Sequence, residues 1–184
     1  MSFIHLRTSS AFSLKYGTTQ PRDLVERAAQ FESPALALTD RDGLSGAIRF
    51  ASACLEFGIA PIIGVNLAID LLADPNIKSA PTKDLPRVTV LAHGDGGWRA
   101  LVRLLSGLNM NAADRTPILT LDFLQRFSQY STQLHLLHGP ESPVSQALTL
   151  HRSDIALDIF NKTRSLFGDH AIDCVSHLVA GNGP

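Results

Sequence analysis

The sequence predicts an α/β domain with a mostly parallel sheet. Strand-like and helix-like segments alternate along the 184 residues, which is the pattern of proteins built from β-α units. The strand candidates are short continuous apolar runs, typical of strands buried on both faces. With 45% hydrophobic residues, the chain can bury a core without disulfides or metal. Six such units fit either an open doubly wound sheet or an incomplete β/α barrel.

The first half of the chain supplies three strands and two helices. Phe3–Leu6 is an apolar strand, followed by a polar loop that ends at a glycine. A threonine N-cap and Pro21 in the first turn predict a helix that ends at Phe31. The next elements are a strand at Ala35–Leu38, a helix at Leu44–Phe57 capped by Gly58, and a strand at Ile59–Ile69. Helical spacing predicts that the second helix buries Leu44, Ala47, Ile48, Ala51 and Leu55.

The second half continues the alternation. Three further strands are predicted, at Val88–Ala92, Leu134–His138 and Ala171–Val179. Helices are expected from Gly96 to Leu105, from a Thr120 cap to Phe127, and from Ser153 to Leu166. A polar loop from Asp74 to Pro86 separates two of the strands. His93 and His138 lie at strand ends, where lone histidines are usually solvated.

Charge composition limits the classes of function. The formal net charge is −1 and charged residues make up 18% of the chain, against about 25% in an average soluble domain. A domain that grips nucleic acid by electrostatics alone needs clustered Lys and Arg. The scarcity of charge instead suggests that part of the surface is covered by a partner or by further chain.

Cysteine usage and hydropathy point to the cytoplasm. The two cysteines, Cys54 and Cys174, have no CxxC or Cys/His spacing, so we interpret both as buried thiols in a reducing compartment. No signal-peptide pattern is visible, and no stretch of about 18 apolar residues would span a membrane. We expect a cytoplasmic protein without a membrane partner.

Three segments in sequence order resemble the motifs of the PHP (polymerase and histidinol phosphatase) family. They are His5–Leu14, Pro34–Asp40 with Gly43–Ala47, and Gly58–Gly64. Their order and spacing are similar to the PHP domain that opens the alpha subunits of bacterial DNA polymerase III, the C-family polymerases. Leu91–Ala92 with Gly96–Ser106 looks like the next helix of those subunits, while His138–Val144 and Leu166–Asp169 resemble their error-prone branch. The resemblance covers nearly the whole chain, which we treat as one PHP domain, 1–184.

This resemblance implies a distorted seven-stranded β/α barrel, similar to a TIM barrel, that is incomplete here because the last strands and their Asp-x-His motif are missing. It also implies that the whole protein is a DNA-directed DNA polymerase, a nucleotidyltransferase of DNA replication and translesion repair. The polymerase core would lie outside this chain. The expected partners are the remainder of the polymerase chain and, through the whole protein rather than this domain, DNA.

The family's metal-site positions hold different residues in this chain. Active PHP domains bind divalent metals such as Zn, Mn or Mg through His and acidic ligands, and the metals activate water against a phosphoester. By the resemblance, the family's ligands are replaced by Arg7, Ser9, Tyr16, Arg41 and Asn66. Together with His5 and Asp40, these are the vestigial metal-site positions.

Arginine at two of these positions changes the electrostatics expected there. A guanidinium has no acceptor and stays charged. At an effective dielectric of about 20, two unit cations about 4 Å apart repel by about 4 kcal/mol. We therefore predict no catalytic residue, no metal and no cofactor in this chain, with Arg7 and Arg41 replacing the metal charge beside Asp40 or Asp42.

Several alternatives remain open at this point. His5 is either a relic ligand or a hydrogen-bonded core histidine, and Asp40 either anchors Arg41 or caps the helix at Leu44. Arg7 and Arg41 could bind an anion instead of a carboxylate. The main functional interpretation is a non-catalytic scaffold. The alternatives are a metal-dependent phosphoesterase or 3′–5′ exonuclease, and an anion-binding barrel.

Overall fold

A computed structural model describes residues 3–70, 85–112, 116–167 and 172–174. The chain divides into two compact units, Met1–Asn66 and Leu67–Pro184. The predicted loop from Asp74 to Pro86 falls mostly outside the described residues. Within the described residues, no helix is both long enough and apolar enough to cross a membrane.

The first unit packs two helices against parallel strands. Its elements are α1 (Pro21–Gln30), β1 (Ala35–Arg41), α2 (Ala47–Phe57) and the first part of β2 (Ala60–Asp70). β1 and β2 are parallel, with Ala35 opposite Ala60 and Arg41 opposite Asn66. The core lies between the helices and β1 and includes Val25, Leu36, Leu38, Phe50, Ala53, Cys54 and Ile59. Cys54 is buried, as predicted, and burial raises the pKa of its thiol to about 11.

The predicted strand Phe3–Leu6 is not a regular strand. The segment lies along β1, where Ala37 N donates to His5 O at 3.0 Å and Thr39 N donates to Thr8 O at 2.8 Å. The two donors are two residues apart, but their acceptors are three apart. A regular ladder advances equally on both strands, so one extra residue in the first segment interrupts the pairing, as in a bulge. β1 itself continues to Arg41, beyond the predicted end at Leu38.

The boundaries and buried face of the helices differ in part from expectation. Pro21 begins α1, but Gln20 precedes it without a side-chain cap, so the predicted threonine N-cap is wrong. α2 begins at Ala47 and buries Phe50, Ala53 and Cys54 besides Ala47. Of the stripe predicted for α2, Ile48 is 68% exposed and Leu55 is 77% exposed. The burial of Ala47 and the C-terminal cap are as predicted, since Gly58 has φ 71° and ends the helix in the left-handed conformation.

The second unit contains the remaining elements. They are β3 (Arg87–Ala92), α3 (Gly94–Ala112), β4 (Ile118–Thr120), α4 (Leu121–Phe127), a 3-10 helix (Ser128–Gln133), β5 (Leu134–His138), α5 (Pro143–Thr149), α6 (Ser153–Phe167) and β6 (Ile172–Cys174). The end of β2 is parallel to β4, β5 is parallel to β6, and β3 is antiparallel to β5. Thr120 caps α4 as predicted, because its Oγ1 accepts from Phe123 N at 3.3 Å.

The pairings confirm an α/β protein whose sheet contains parallel strands. The antiparallel β3–β5 pair departs from a regular β/α repeat. Among the described strands, no pairing closes the sheet into a barrel. The incomplete, distorted seven-stranded barrel therefore stays a prediction.

His138, at the end of β5, is buried instead of solvated. Its side chain is 2% exposed, and its Nε2 lies 3.3 Å from Thr163 Oγ1. That hydroxyl donates within α6, with the Ile159 carbonyl at 3.0 Å, so it accepts from Nε2–H. Nδ1 has no hydrogen-bond partner. Burial of this neutral ring lowers the pKa of His138 to about 4.

The buried His138 predicts a loss of stability in mild acid. The unfolded chain takes up a proton near the ordinary pKa of about 6.5, while the folded chain resists protonation until about pH 4. The free energy of unfolding should therefore fall as the pH drops from 6.5 towards 4, by about 3 kcal/mol in total. Urea denaturation across this range should show a shallower pH dependence in His138→Leu. The exposed His93 provides the control His93→Leu, and an unchanged slope in His138→Leu would contradict the prediction.

Candidate functional site

Asp40, near the end of β1, is the buried centre of the candidate site. Its side chain is 2% exposed and accepts three hydrogen bonds from the loop between the first segment and α1. Ser10 N donates to Oδ1 at 2.7 Å, Ser10 Oγ to Oδ2 at 2.8 Å, and Ser13 Oγ to Oδ1 at 2.6 Å. Hydrogen bonds of this kind, to an ionised acceptor, are among the stronger ones in proteins. Both carboxylate oxygens are thus engaged by the loop.

The same two serines shape the loop around Asp40. Ser13 Oγ accepts from Arg41 N at 3.0 Å, so one hydroxyl joins two consecutive residues of β1. The Ser13 carbonyl accepts from the backbone N–H groups of Tyr16 and Gly17, which turns the chain back on itself. A Cβ atom at Gly17 would lie 2.1 Å from the Ser10 carbonyl oxygen. Only a residue without a side chain fits this close approach.

Tyr16 and Arg41 are in contact. The centre of the Arg41 guanidinium lies 3.5 Å from the centroid of the Tyr16 ring, the geometry of a cation–π interaction. The Tyr16 ring is partly solvent-exposed. Two of the vestigial metal-site positions are therefore occupied by a cation and the aromatic ring beneath it.

The other vestigial positions divide between two places. Asn66 is buried and faces Arg41 across the β1–β2 pair, and its carbonyl accepts from Asp42 N at 3.0 Å. His5 is exposed and meets the Phe3 ring edge-on at 4.8 Å, so it is not the core histidine that the sequence allowed. Arg7 lines a groove together with His5. Ser9 is half-buried in the loop.

Sequence reasoning missed Ser10 and Ser13 as functional residues. They lie in the first family motif, but serine was considered only as a weak metal ligand, and nothing in the spacing indicates which hydroxyl faces the acid. Their burial in the fold is the signal that identifies them, since both side chains are at most 1% exposed. In the second unit, the rings of His93 and His135 meet edge to face at 4.6 Å, a pairing that their separation in sequence did not indicate.

The donor set around Asp40 does not fit a divalent metal ion. Metal ligands must offer lone pairs, whereas hydroxyl and amide hydrogens point at both Asp40 oxygens. The neighbouring side chain in β1, Arg41, has no acceptor. Across the described parts of the chain, no group of three or more His, Cys, Asp or Glu side chains is placed to hold a metal.

The fold and the loop motif define a PHP domain. The family model for this domain matches residues 5–177, and the chain therefore belongs to the PHP domain family.

Its relatives are DNA polymerases. The error-prone DNA polymerase of Mycolicibacterium paratuberculosis is 35% identical over 150 residues, covering 80% of this chain and 13% of the relative. The DNA polymerase III subunit alpha of Buchnera aphidicola is 31% identical over 156 residues, covering 83% of this chain and 13% of the relative. The chain thus spans only a small part of these proteins. A solved amidohydrolase from Chromobacterium violaceum is 22% identical with a TM-score of 0.44, covering 70% of this chain and 37% of that one.

Gly17→Ala should disrupt the loop that holds Asp40. The new methyl group would overlap the Ser10 carbonyl, and relief requires the backbone to move, so we expect a loss of about 2 kcal/mol or more in the free energy of unfolding. Gly43→Ala is the matched control, because a Cβ there meets nothing closer than 3.9 Å. Urea denaturation measures both, and equal midpoints for the two variants would contradict this account of the loop.

Proposed function

We propose that the chain is the N-terminal PHP domain of an error-prone DNA polymerase III alpha subunit, and that this domain is a non-catalytic scaffold. The family membership and the names of the relatives support the first part. The whole protein would extend DNA with deoxynucleoside triphosphates in the cytoplasm. The remainder of the polymerase chain would be the partner of this domain.

The hydrogen bonding of Asp40 is the observation that carries the non-catalytic part. Hydrolysis by a PHP phosphoesterase relies on metal ions that activate a water molecule. Here the one acid retained from the family motifs is engaged by Ser10 and Ser13 through both oxygens. Three of the roughly four lone-pair sites of this carboxylate already accept hydrogen bonds. A metal ion bound through both oxygens would displace at least one donor and leave a buried polar group without a partner, at a cost of about 1–3 kcal/mol.

Arg41 adds to the same effect. Arg41 directly follows Asp40 in β1, and its guanidinium lies over the Tyr16 ring. At an effective dielectric of about 20, each unit of metal charge brought within about 4 Å of a guanidinium costs about 4 kcal/mol. Asp40 and Arg41 therefore serve to fix the loop on β1 and not to bind a reacting phosphate through metal.

The surface of α2 supports a scaffold that packs against further protein. Ile48 and Leu55 are separated by seven residues, which places them on the same face of the helix, and both are exposed. The core of the first unit uses the opposite stripe around Phe50 and Cys54. An exposed apolar face on a domain of low charge matches a surface that another part of a polymerase covers.

Metal content and phosphatase activity, measured on the wild-type chain and on Asp40→Asn, test this proposal. After incubation with Mn²⁺ or Zn²⁺ and dialysis, mass spectrometry should find no stoichiometric metal, and no phosphate should be released from p-nitrophenyl phosphate or an oligonucleotide. Asp40→Asn should lower the free energy of unfolding by about 3 kcal/mol, since an amide replaces one charged acceptor oxygen, and should leave both other measurements unchanged.

Asp23→Asn, on the exposed face of α1, is the control for loss of a carboxylate. Two or more metal ions per chain, with phosphate release that Asp40→Asn abolishes, would overturn the scaffold in favour of the phosphoesterase or exonuclease alternative.

A further inference from the structure

A groove in the first unit lies between the N-terminal segment and α1. Its volume is about 580 Å³, within the range of small-molecule sites, about 300–1,000 Å³. Phe3, His5 and Arg7 line one side, while Arg27 and Phe31 come from the end of α1 and the residue after it. These two sets are about twenty residues apart in the sequence, so the groove exists only in the folded chain.

Two arginines line the groove, Arg7 and Arg27, and none of its described lining residues is acidic. Arg27 is exposed, and one of its five N–H donors is used by the Gln30 side-chain oxygen at 2.9 Å. Its guanidinium also lies over the Phe31 ring, 4.4 Å from the centroid. The Arg27 guanidinium can therefore bind an anionic group of a ligand close to the Phe31 ring.

Two aromatic rings in the groove are exposed to an unusual degree. Phe3 is 70% exposed and Phe31 is 67% exposed, although exposing a large apolar ring to water is unfavourable. The Phe3 ring also meets the imidazole of His5 edge-on. Flat aromatic faces beside guanidinium groups form the combination by which proteins hold bases and backbone phosphates of single-stranded nucleic acids.

We propose that this groove binds a nucleotide unit. Arg7 and Arg27 contact the phosphate, and the base stacks on Phe31 or Phe3. An acidic peptide would satisfy the arginines but offers no planar group to stack on the Phe3 ring or on the face of Phe31 that Arg27 does not cover, which is why we favour a nucleotide. The ligand is either a free nucleotide or one unit of a single strand, as both present the same phosphate and base.

The inference goes beyond the scaffold proposal and does not depend on it. Arg27 and Phe31 belong to α1 and its end, outside the Asp40 network and outside the motif positions of the family, whereas His5 and Arg7 are two of those positions. Binding here requires neither a metal nor a chemical step. The metal and phosphatase measurements test the scaffold, and the binding measurement below tests the groove. Either proposal can therefore fail while the other holds.

Fluorescence anisotropy of a labelled oligo-dT strand, with the 184-residue chain as titrant, tests the groove. Phe31→Leu should weaken binding by at least about fivefold, because loss of one aromatic stacking contact is worth about five- to a hundredfold. Arg27→Gln should weaken binding by at least about fivefold as well, because the charge-assisted hydrogen bonds to the phosphate are lost. Arg22→Gln should leave binding unchanged. Arg22 is a close match for Arg27, since it is exposed on the same helix and also lies over a phenyl ring, that of Phe57. It pairs with Glu56 instead of lining the groove.

Competition identifies the ligand. Thymidine monophosphate should displace the strand better than inorganic phosphate, since the base contributes stacking. If the monophosphate displaces the labelled strand as effectively as unlabelled strand does, the ligand is the free nucleotide. If the monophosphate is much less effective than unlabelled strand, the ligand is the single strand. Circular dichroism confirms that each variant is folded.

Three outcomes would overturn the inference. One is the absence of any anisotropy change with the wild-type chain. Another is an equal loss in Arg22→Gln and Arg27→Gln, which would mean non-specific attraction. The third is tighter binding of a polyglutamate peptide than of the strand, which would assign the groove to acidic peptides.

Discussion

The first unit depends on the buried carboxylate of Asp40. An ionised group in this position is tolerated only when it is fully hydrogen-bonded, and the fold meets that need with Ser10 and Ser13. In doing so it ties the loop to β1 and sets the path of the chain up to Gly17. The Arg41 side chain, next in sequence, is then fixed over Tyr16. One electrostatic requirement thus organises the whole loop.

The hydrogen bonds to Asp40 lie in the segment where the PHP domain family has its first motif. The chain belongs to the PHP domain family, and its curated relatives are DNA polymerases. Where the family resemblance places ligands, this chain has two arginines, a serine, a tyrosine and an asparagine beside His5 and Asp40. The donors to the Asp40 carboxylate come from Ser10 and Ser13, which lie between those positions. Hydrogen bonds from the loop therefore hold this buried carboxylate in place.

The groove beside α1 arises from a different constraint. The N-terminal segment carries one residue more than the strand beside it, and its His5 and Arg7 line the groove together with Arg27 and Phe31. Among the other vestigial positions, Asp40 and Asn66 are buried. Electrostatics alone would not make this nearly neutral chain bind nucleic acid, so any affinity must come from local geometry.

Much of the fold could be predicted from the conformational preferences of short sequence segments. The alternation of elements, the start of α1 at Pro21, the glycine end of α2 and the threonine cap of α4 follow from backbone preferences of single residues. The family motifs are likewise contiguous in the chain. The buried face of α2, the donors to Asp40 and the placement of Arg7 and Arg27 along one groove could not be derived in this way. They depend on which surfaces face each other after folding, and a side chain's partners are set by distant segments that periodicity and spacing do not specify.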